Sequence, residues 1–345
     1  MAESLAIAHV TPHPWGAPHE VNLHVERVTA ELAGRGHRVV IVAPSGSEEL
    51  VRRTRADIRR AAREGDPESL LPVPGEAPRV LAVGEALPAI SSRARSTLPI
   101  DVSRTIEDLL TIVPLDVCHV HEPFAPSTSA AALRHSRALN VATFHSPAER
   151  MVSTQVARKL VALVFSRLDA RLADFPATAA LMDRFFPGEY TVVRPGVDAP
   201  GAPVPRAAGG PLRLAFVDIE ERAALRTFLR GLRRLAGDEG WEATVLSARG
   251  PSSAAPVPER IAGRVRFADP ASTDEAAVLA QADVLACASD GDAPAPDLVQ
   301  RAVAAGCVPL LTRLAVYEDV TDDGAAGLLF ERRDTETLAA QLRRL

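Results

Sequence analysis

The sequence predicts an α/β protein built from two Rossmann-like domains. Three observations carry this. Short, nearly all-apolar, β-branched segments recur along the chain, amphipathic helical stretches separate them, and one stretch rich in Pro, Gly and Ala divides the pattern in two. Strands buried on both faces read as continuous apolar runs, and their alternation with helices marks parallel sheets covered on both sides. The chain has 345 residues. At about 100–200 residues per domain that gives two domains, each long enough to bury a core.

In chain order the candidate strands are Leu5–Val10, Val39–Ala43, Val117–Val120, Val141–Phe144 and Thr191–Val193. A second set is Leu212–Val217, Ala243–Leu246, Val284–Ala286 and Val308–Leu311. Between the first two strands, His19–Ala33 reads as a helix ended by Gly34 and Gly36, which completes a β-α-β unit. Glu48–Asp66 reads as a basic helix with Arg52, Arg55, Arg59 and Arg63 on one side. Such a face is either solvated or docks on an acidic protein or a membrane surface. With few large apolar residues it would not insert deeply into lipid. Asp198–Pro211 is the expected linker, so the expected domains are residues 1–197 and 212–345. Ligands are expected in an interdomain cleft at the carboxyl ends of the strands.

Composition narrows the partners. Hydrophobic residues make up 47% and charged residues 24%, an ordinary globular balance. Aromatics are only 4% and the net charge is −5, so no nucleic-acid partner is expected. Cys118, Cys287 and Cys307 are too far apart for a disulfide framework or a zinc motif, which suits a reducing cytoplasm. The amino terminus lacks the basic region of a signal peptide. The longest apolar runs, such as Leu160–Phe165, fall far short of the roughly 20 residues a membrane helix needs. A cytoplasmic protein, at most peripheral to a membrane, is expected.

All nine histidines lie at or before His145. Either the skew is chance, or the polar chemistry sits in the amino-terminal half. His13, His19, His119, His121 and His145 have no diagnostic metal spacing. Asp290, Asp292 and Asp297 lack the closing Glu of a calcium loop. No metal and no cofactor are expected.

Several motifs carry a resemblance. VCHVHEP at 117–123, FAPSTSAAAL directly after it, and ATFHS at 142–146 resemble family 4 glycosyltransferases, the actinobacterial phosphatidylinositol mannosyltransferases in particular. Residues 11–44 resemble the family's first β-α-β unit, VVRPGVD at 192–198 its interdomain motif, and GAAGLLF at 324–330 its D-G-x-x-G-L-L. Residues 282–306 align without gaps to its nucleotide-sugar segment. The resemblance implies the two-domain GT-B arrangement, with an acceptor on the first domain and a nucleotide sugar mainly on the second. His121 matches a histidine near the reacting sugar. His24, Glu122, His145 and Ser146 match its neighbours, and His19 and Asn22 fall on the same acceptor side. A histidine there can donate to a sugar hydroxyl near neutral pH.

On the donor side the resemblance brings out departures. A family Gly-Gly pair, whose bare backbone lets a diphosphate approach a helix N-terminus, reads His19-Glu20. A family Arg and Lys, which neutralise the departing diphosphate, align with Ile219 and about Ala223. Arg222 or Arg226 is the available substitute, while Asp218, Glu220 and Glu221 oppose an anion. Two family glutamates, suited to accept from sugar and ribose hydroxyls, align with Ala293 and Arg301. Between them a Phe-Gly reads Ala295-Pro296, and proline has no amide hydrogen. Ser289 and Asp290 flank this region. Relatives also continue past the helix that here is Asp334–Leu345, so the two domains are expected to be less firmly coupled.

Three functions follow. One is a binding protein on a transferase scaffold, with weak, atypical or no transfer, taking a glycan, a lipid headgroup or a protein partner. Another is an active retaining transferase moving a mannose-like hexose from a nucleotide diphosphate to a lipid or polar acceptor, with Arg222, Arg226 and Arg301 meeting the diphosphate. The third is a structural subunit docking through the basic helix.

Overall fold

The computed structural model of the chain describes residues 4–17, 19–85, 100–124, 127–145, 163–198, 209–248, 257 and 259–345. Contacts divide the chain into two units, each organised around one parallel sheet.

The first unit contains β1 (Ala6–Val10), α1 (Glu20–Gly34), β2 (Arg38–Ser45), α2 (Glu48–Glu64) and β3 (Arg79–Glu85). Next come α3 (Ile100–Ile112), β4 (Val117–His121), α4 (Thr128–His135), β5 (Leu139–Phe144), β6 (Ala170–Ala173) and β7 (Thr191–Val192). Helix α5 (Pro176–Phe185) lies between β6 and β7 in sequence. The strands pair in parallel in the order β3-β2-β1-β4-β5-β6-β7.

The period of two along a strand gives this sheet two unlike faces. Ala8, Val10, Val40, Val42, Val120 and Ala142 enter a large apolar core with Ile58, Ile106, Leu109 and Phe144. On the opposite face Ile41 packs with Val21 and Val25 of α1 in a small cluster flanked by Trp15 and Val80. Alternation puts His9, His119 and His121 on that side too, where apolar side chains would ordinarily sit.

Helix α1 differs slightly from expectation. His19 is its N-cap, with Nδ1 accepting from Val21 N at 3.2 Å. Gly34 stays inside the helix, and Gly36, at φ +90°, makes the turn into β2. The turn needs a left-handed residue, which glycine supplies without strain.

Helix α2 is capped by Ser47 and closed by Gly65 at φ +67°, so it ends two residues before the expected Asp66. Val51, Thr54, Ile58 and Ala61 are buried, while Arg52, Arg59 and Arg63 are exposed. Arg55 does not join an unpartnered basic stripe, because its guanidinium pairs with Asp101 at 2.6 Å.

The second unit contains β8 (Leu212–Val217), α6 (Arg222–Arg234), β9 (Trp241–Leu246), β10 (Val265–Ala268), α7 (Glu275–Gln281) and β11 (Val284–Cys287). It continues with α8 (Pro296–Ala304), β12 (Val308–Thr312), α9 (Ala315–Thr321), β13 (Leu328–Phe330) and α10 (Thr335–Leu342). The order is β10-β9-β8-β11-β12-β13, again with every pair parallel. One face packs on Phe216, Phe228, Leu232 and Leu338, the other on Leu285, Leu298, Leu311 and Tyr317.

Every candidate strand falls on an observed strand, with ends moved by at most two residues. β3, β6, β10 and β13 were not expected. β6, β10 and β13 have only three or four residues, two of them with an internal arginine (ARLA, VRFA, LLF), whereas β3 (RVLAVGE) does carry an apolar run, Val80–Val83, that the expected strand set omits. Residues 199–208 of the expected linker lie outside the described residues. Among the described residues no helix is long and apolar enough to cross a membrane.

Candidate functional site

In each sheet the strand order reverses once, between β1 and β4 and between β8 and β11. The carboxyl ends of strands at such a reversal are where this architecture receives ligands.

In the first unit those ends carry histidines. His9 lies opposite His119 in the β1–β4 register, and His121 lies opposite Thr143 of β5. His145 follows β5, Asp174 follows β6, and His24 comes from α1. Their side chains form a hydrogen-bonded chain. Asp174 Oδ2 and His145 Nδ1 are 2.6 Å apart, His145 Nε2 and His121 Nδ1 3.0 Å, and His121 Nε2 and His9 Nδ1 3.1 Å.

A neutral imidazole carries one N–H and one acceptor. Starting from the Asp174 carboxylate, this assigns a direction. His145 donates to Asp174, His121 to His145 and His9 to His121. The chain ends at His9 Nε2, which is buried and has no hydrogen-bond partner. His119 makes a separate 2.7 Å bond from Nε2 to Thr143 Oγ1.

Burial disfavours the charged form of His9, His24, His119 and His121. It pushes His119 and His121 well below the ordinary histidine range, and the neighbouring imidazoles push the same way. Burial takes His9 down to about 3, with His24 adding to it. Burial, then His145, takes His24 down to about 4.

At the rim, His13 stacks on His19 with ring centroids 3.3 Å apart, and His13 Nε2 approaches Glu122 Oε2 at 3.8 Å. Glu122 is held at φ +45°, a left-handed conformation that costs a non-glycine residue about 1 kcal/mol. Burial alone would raise its carboxyl. The neighbouring imidazoles of His13, His145 and His19 bring it below the usual carboxylate range instead.

Asn22 braces this loop, accepting from Thr11 Oγ1 at 2.8 Å and donating to Pro14 O at 2.9 Å. The sequence-predicted residues His19, Asn22, His24, His121, Glu122 and His145 are thus gathered on one edge of one sheet. Ser146 lies outside the described residues. His9 and Asp174 are new members. The register of β1 with β4 would have given His9, and the short β6 hid Asp174.

In the second unit the reversal point is crossed by two carboxylates. Glu220 is buried and accepts from Ala288 N at 2.8 Å, from Ser289 N at 3.2 Å, and from the Tyr317 hydroxyl. Burial pushes its carboxyl up to about 8, against the pull of Tyr317 and the two amides and with help from Glu221. Glu221 accepts from Ser289 Oγ at 2.8 Å, from Ala293 N at 3.0 Å, and from Asp290 N. The amides that follow β11 are therefore taken by the connection that follows β8. Asp218 turns aside and accepts from Ser247 Oγ at 2.6 Å.

The cations expected to compensate are differently placed. Arg301 does not face an open anion site, because it grips Glu275 with Nε at 2.7 Å and Nη2 at 3.3 Å. Arg222 and Arg226 are exposed on the first turns of α6. Glu221 is the N-cap of that helix, yet its side chain makes no capping bond, having turned to the opposite loop. Asp290 is tied to Arg333 at 2.8 Å. Pro296 opens α8, so no amide hydrogen is offered there. A cavity of about 1180 Å³ lined by Arg213, Trp241 and Asp283 lies at the amino-terminal edge of this sheet, the wrong end for the ligand site of such a fold.

A parallel α/β unit with a polar carboxyl edge is shared by many nucleotide-dependent enzymes, and comparison with known proteins defines which class this is. The sequence profile of Glycosyltransferase Family 4 matches residues 21–199, and that of Glycosyl transferases group 1 matches residues 213–345. The chain belongs to glycosyltransferase family 4.

It is 24% identical over 351 aligned residues to a phosphatidyl-myo-inositol mannosyltransferase of Mycolicibacterium smegmatis, covering 98% of this chain and 84% of that one. A protein of the same name from Propionibacterium freudenreichii is 26% identical, over 59% of this chain and 49% of that one. Among solved structures, sucrose-phosphate synthase of Thermosynechococcus elongatus gives a TM-score of 0.68 at 15% identity, covering 99% of this chain and 89% of that one. Anabaena HepE in complex with UDP and glucose gives 0.67 at 13% identity, with the same coverage. These likenesses establish the two-unit fold of GT-B glycosyltransferases.

Proposed function

We propose that this protein is a family 4 glycosyltransferase relative that works mainly by binding, with weak, atypical or no transfer from a nucleotide sugar. One observation carries the reading. Glu220 and Glu221 hold the amides of Ala288, Ser289, Asp290 and Ala293, the groups at the sheet reversal that an incoming diphosphate would need.

A diphosphate would have to displace both side chains from these donors, or sit beside the Glu221 carboxylate. At an effective dielectric constant near 20, like unit charges about 4 Å apart repel by about 4 kcal/mol. The binding surface in this reading is the histidine-rich edge of the first sheet, where imidazoles and Glu122 suit the hydroxyls of a glycan or lipid headgroup. Calorimetry with GDP, UDP and ADP, with and without their sugars, tests it. Micromolar binding of any of them would overturn it.

The second reading is an active retaining transferase that moves a mannose-like hexose onto a lipid or polar acceptor. Arg222 favours it. This residue opens α6 beside amides that Glu221 leaves uncapped, and a helix N-terminus with an exposed arginine attracts phosphate. In that reading Arg222→Ala abolishes both nucleotide binding and transfer. His121, buried in the histidine chain, would then lie near the reacting sugar, as the family resemblance implies.

A further inference from the structure

We propose that His9, His119 and His121 form a binding site for a single late first-row divalent metal ion, of the Zn2+ or Ni2+ type. The three rings can each present one nitrogen with all of these atoms within 4.8 Å of one another. They converge because of the sheet. His119 and His121 alternate along β4 and so share a face, and His9 is the register partner of His119 on β1. Imidazole nitrogen is the preferred donor for these ions.

The spacing is close to what an ion needs. At a Zn–N distance of about 2.1 Å, two ligands of a tetrahedral ion lie about 3.4 Å apart. His9 Nδ1 and His121 Nε2 are already 3.1 Å apart, so an ion replaces one shared proton there with little movement of either ring. His9 also has its second nitrogen, Nε2, buried without a partner. With Nδ1 on the ion, the ring proton of His9 moves to this nitrogen.

For two of the three ligands the outer groups that metal-bound histidines require are also in place. A ligating imidazole is normally fixed by a hydrogen bond from its other nitrogen to a carboxylate or another oxygen acceptor. His119 Nε2 is held by Thr143 Oγ1 at 2.7 Å, leaving its Nδ1 for the ion. His121 Nδ1 is held through His145 to Asp174, which also supplies a negative charge behind a neutral ligand set. His24, His145 and Asp174 form a second group of the same size. That group is the poorer site, because an ion would have to break the 2.6 Å bond between His145 and Asp174. His119 is only half-buried, which gives the ion a way in. Three protein ligands leave a fourth position for water or a ligand hydroxyl.

The proposal does not depend on whether the protein transfers sugar. Its test uses the full chain without a polyhistidine tag, stripped with a chelator and titrated with ZnCl2 by calorimetry and with CoCl2 by visible absorption. The expected result is one ion per chain and the intense visible bands of a tetrahedral Co2+ site. His9→Gln and His119→Gln should each weaken binding at least 100-fold, Asp174→Asn about 10- to 100-fold, and His135→Gln not at all. Circular dichroism checks that each variant is folded. If His9→Gln is not, His119→Gln, at the half-buried position, decides. Affinity unchanged in folded His119→Gln, or no one-to-one binding by the parent chain, overturns the site.

Discussion

Glu221 Oε2 accepts a hydrogen bond from Ser289 Oγ at 2.8 Å, which ties the connection after β8 to the connection after β11 across the reversal point of the second sheet. The same carboxylate holds the amides of Asp290 and Ala293. A helix N-cap residue would ordinarily spend its side chain on its own helix.

Glu221→Ala should therefore leave helix α6 intact and loosen the loop from Ser289 to Ala293. Leaving partly buried donors unpaired costs about 1–3 kcal/mol. Urea unfolding should show that loss with an unchanged m-value, and amide exchange should speed up at Asp290 and Ala293. The freed amides should also bring inorganic diphosphate binding into the millimolar range. Stability within about 0.5 kcal/mol of the parent chain would mean the contacts do not hold the loop.

The two units should respond to pH in opposite directions in metal-free protein. His9 and His24 titrate near 3 and 4 in the fold, against about 6.5 when unfolded. The unfolded chain binds more protons between these values. The stability they contribute is therefore present above about pH 6.5 and is lost as pH falls towards 3. Glu220, raised to about 8, acts in reverse. Its contribution is full below about pH 4.5 and is lost as pH rises through 8, by up to about 1.4 kcal/mol per pH unit. Site-resolved hydrogen exchange at pH 5 and pH 7.5 should show the first sheet less protected, and the second sheet more protected, at the lower pH. Parallel changes in both sheets would contradict the assignment.

Arg301 and Arg222 should separate cleanly. The Arg301 guanidinium pairs with Glu275 and its side chain is 13% exposed. Arg301→Ala should cost about 1–3 kcal/mol of stability by stranding Glu275, and should leave any nucleotide binding unaltered. Arg222→Ala, at an exposed position, should change stability by less than about 0.5 kcal/mol. Thermal unfolding of both variants, with and without nucleotide, checks this.

Much of the fold was legible because strands such as Val39–Ala43 are unbroken apolar runs, and because Gly34 and Gly36 mark where the helix before β2 must end. ARLA and VRFA were not legible, since an arginine inside a four-residue strand looks like loop. At the site, the sequence pointed to His121 and His145 through the family motif, and to the acidic character of Glu220 and Glu221. It could not show that those carboxylates reach amides 68 to 72 residues away. It could not show that Glu275 occupies Arg301, or that His9 lies beside His119. Each of these is a cross-strand or cross-loop relationship, set by sheet order and register rather than by local pattern.

The measurement that bears most directly on the proposed function is calorimetric titration of the chelator-treated, folded protein with GDP, UDP and ADP and their hexose conjugates. Glu220 and Glu221 already satisfy the amides after β11, so no micromolar binding is predicted for any of them. Micromolar binding of one nucleotide, abolished by Arg222→Ala, would contradict the account and put the active transferase in its place.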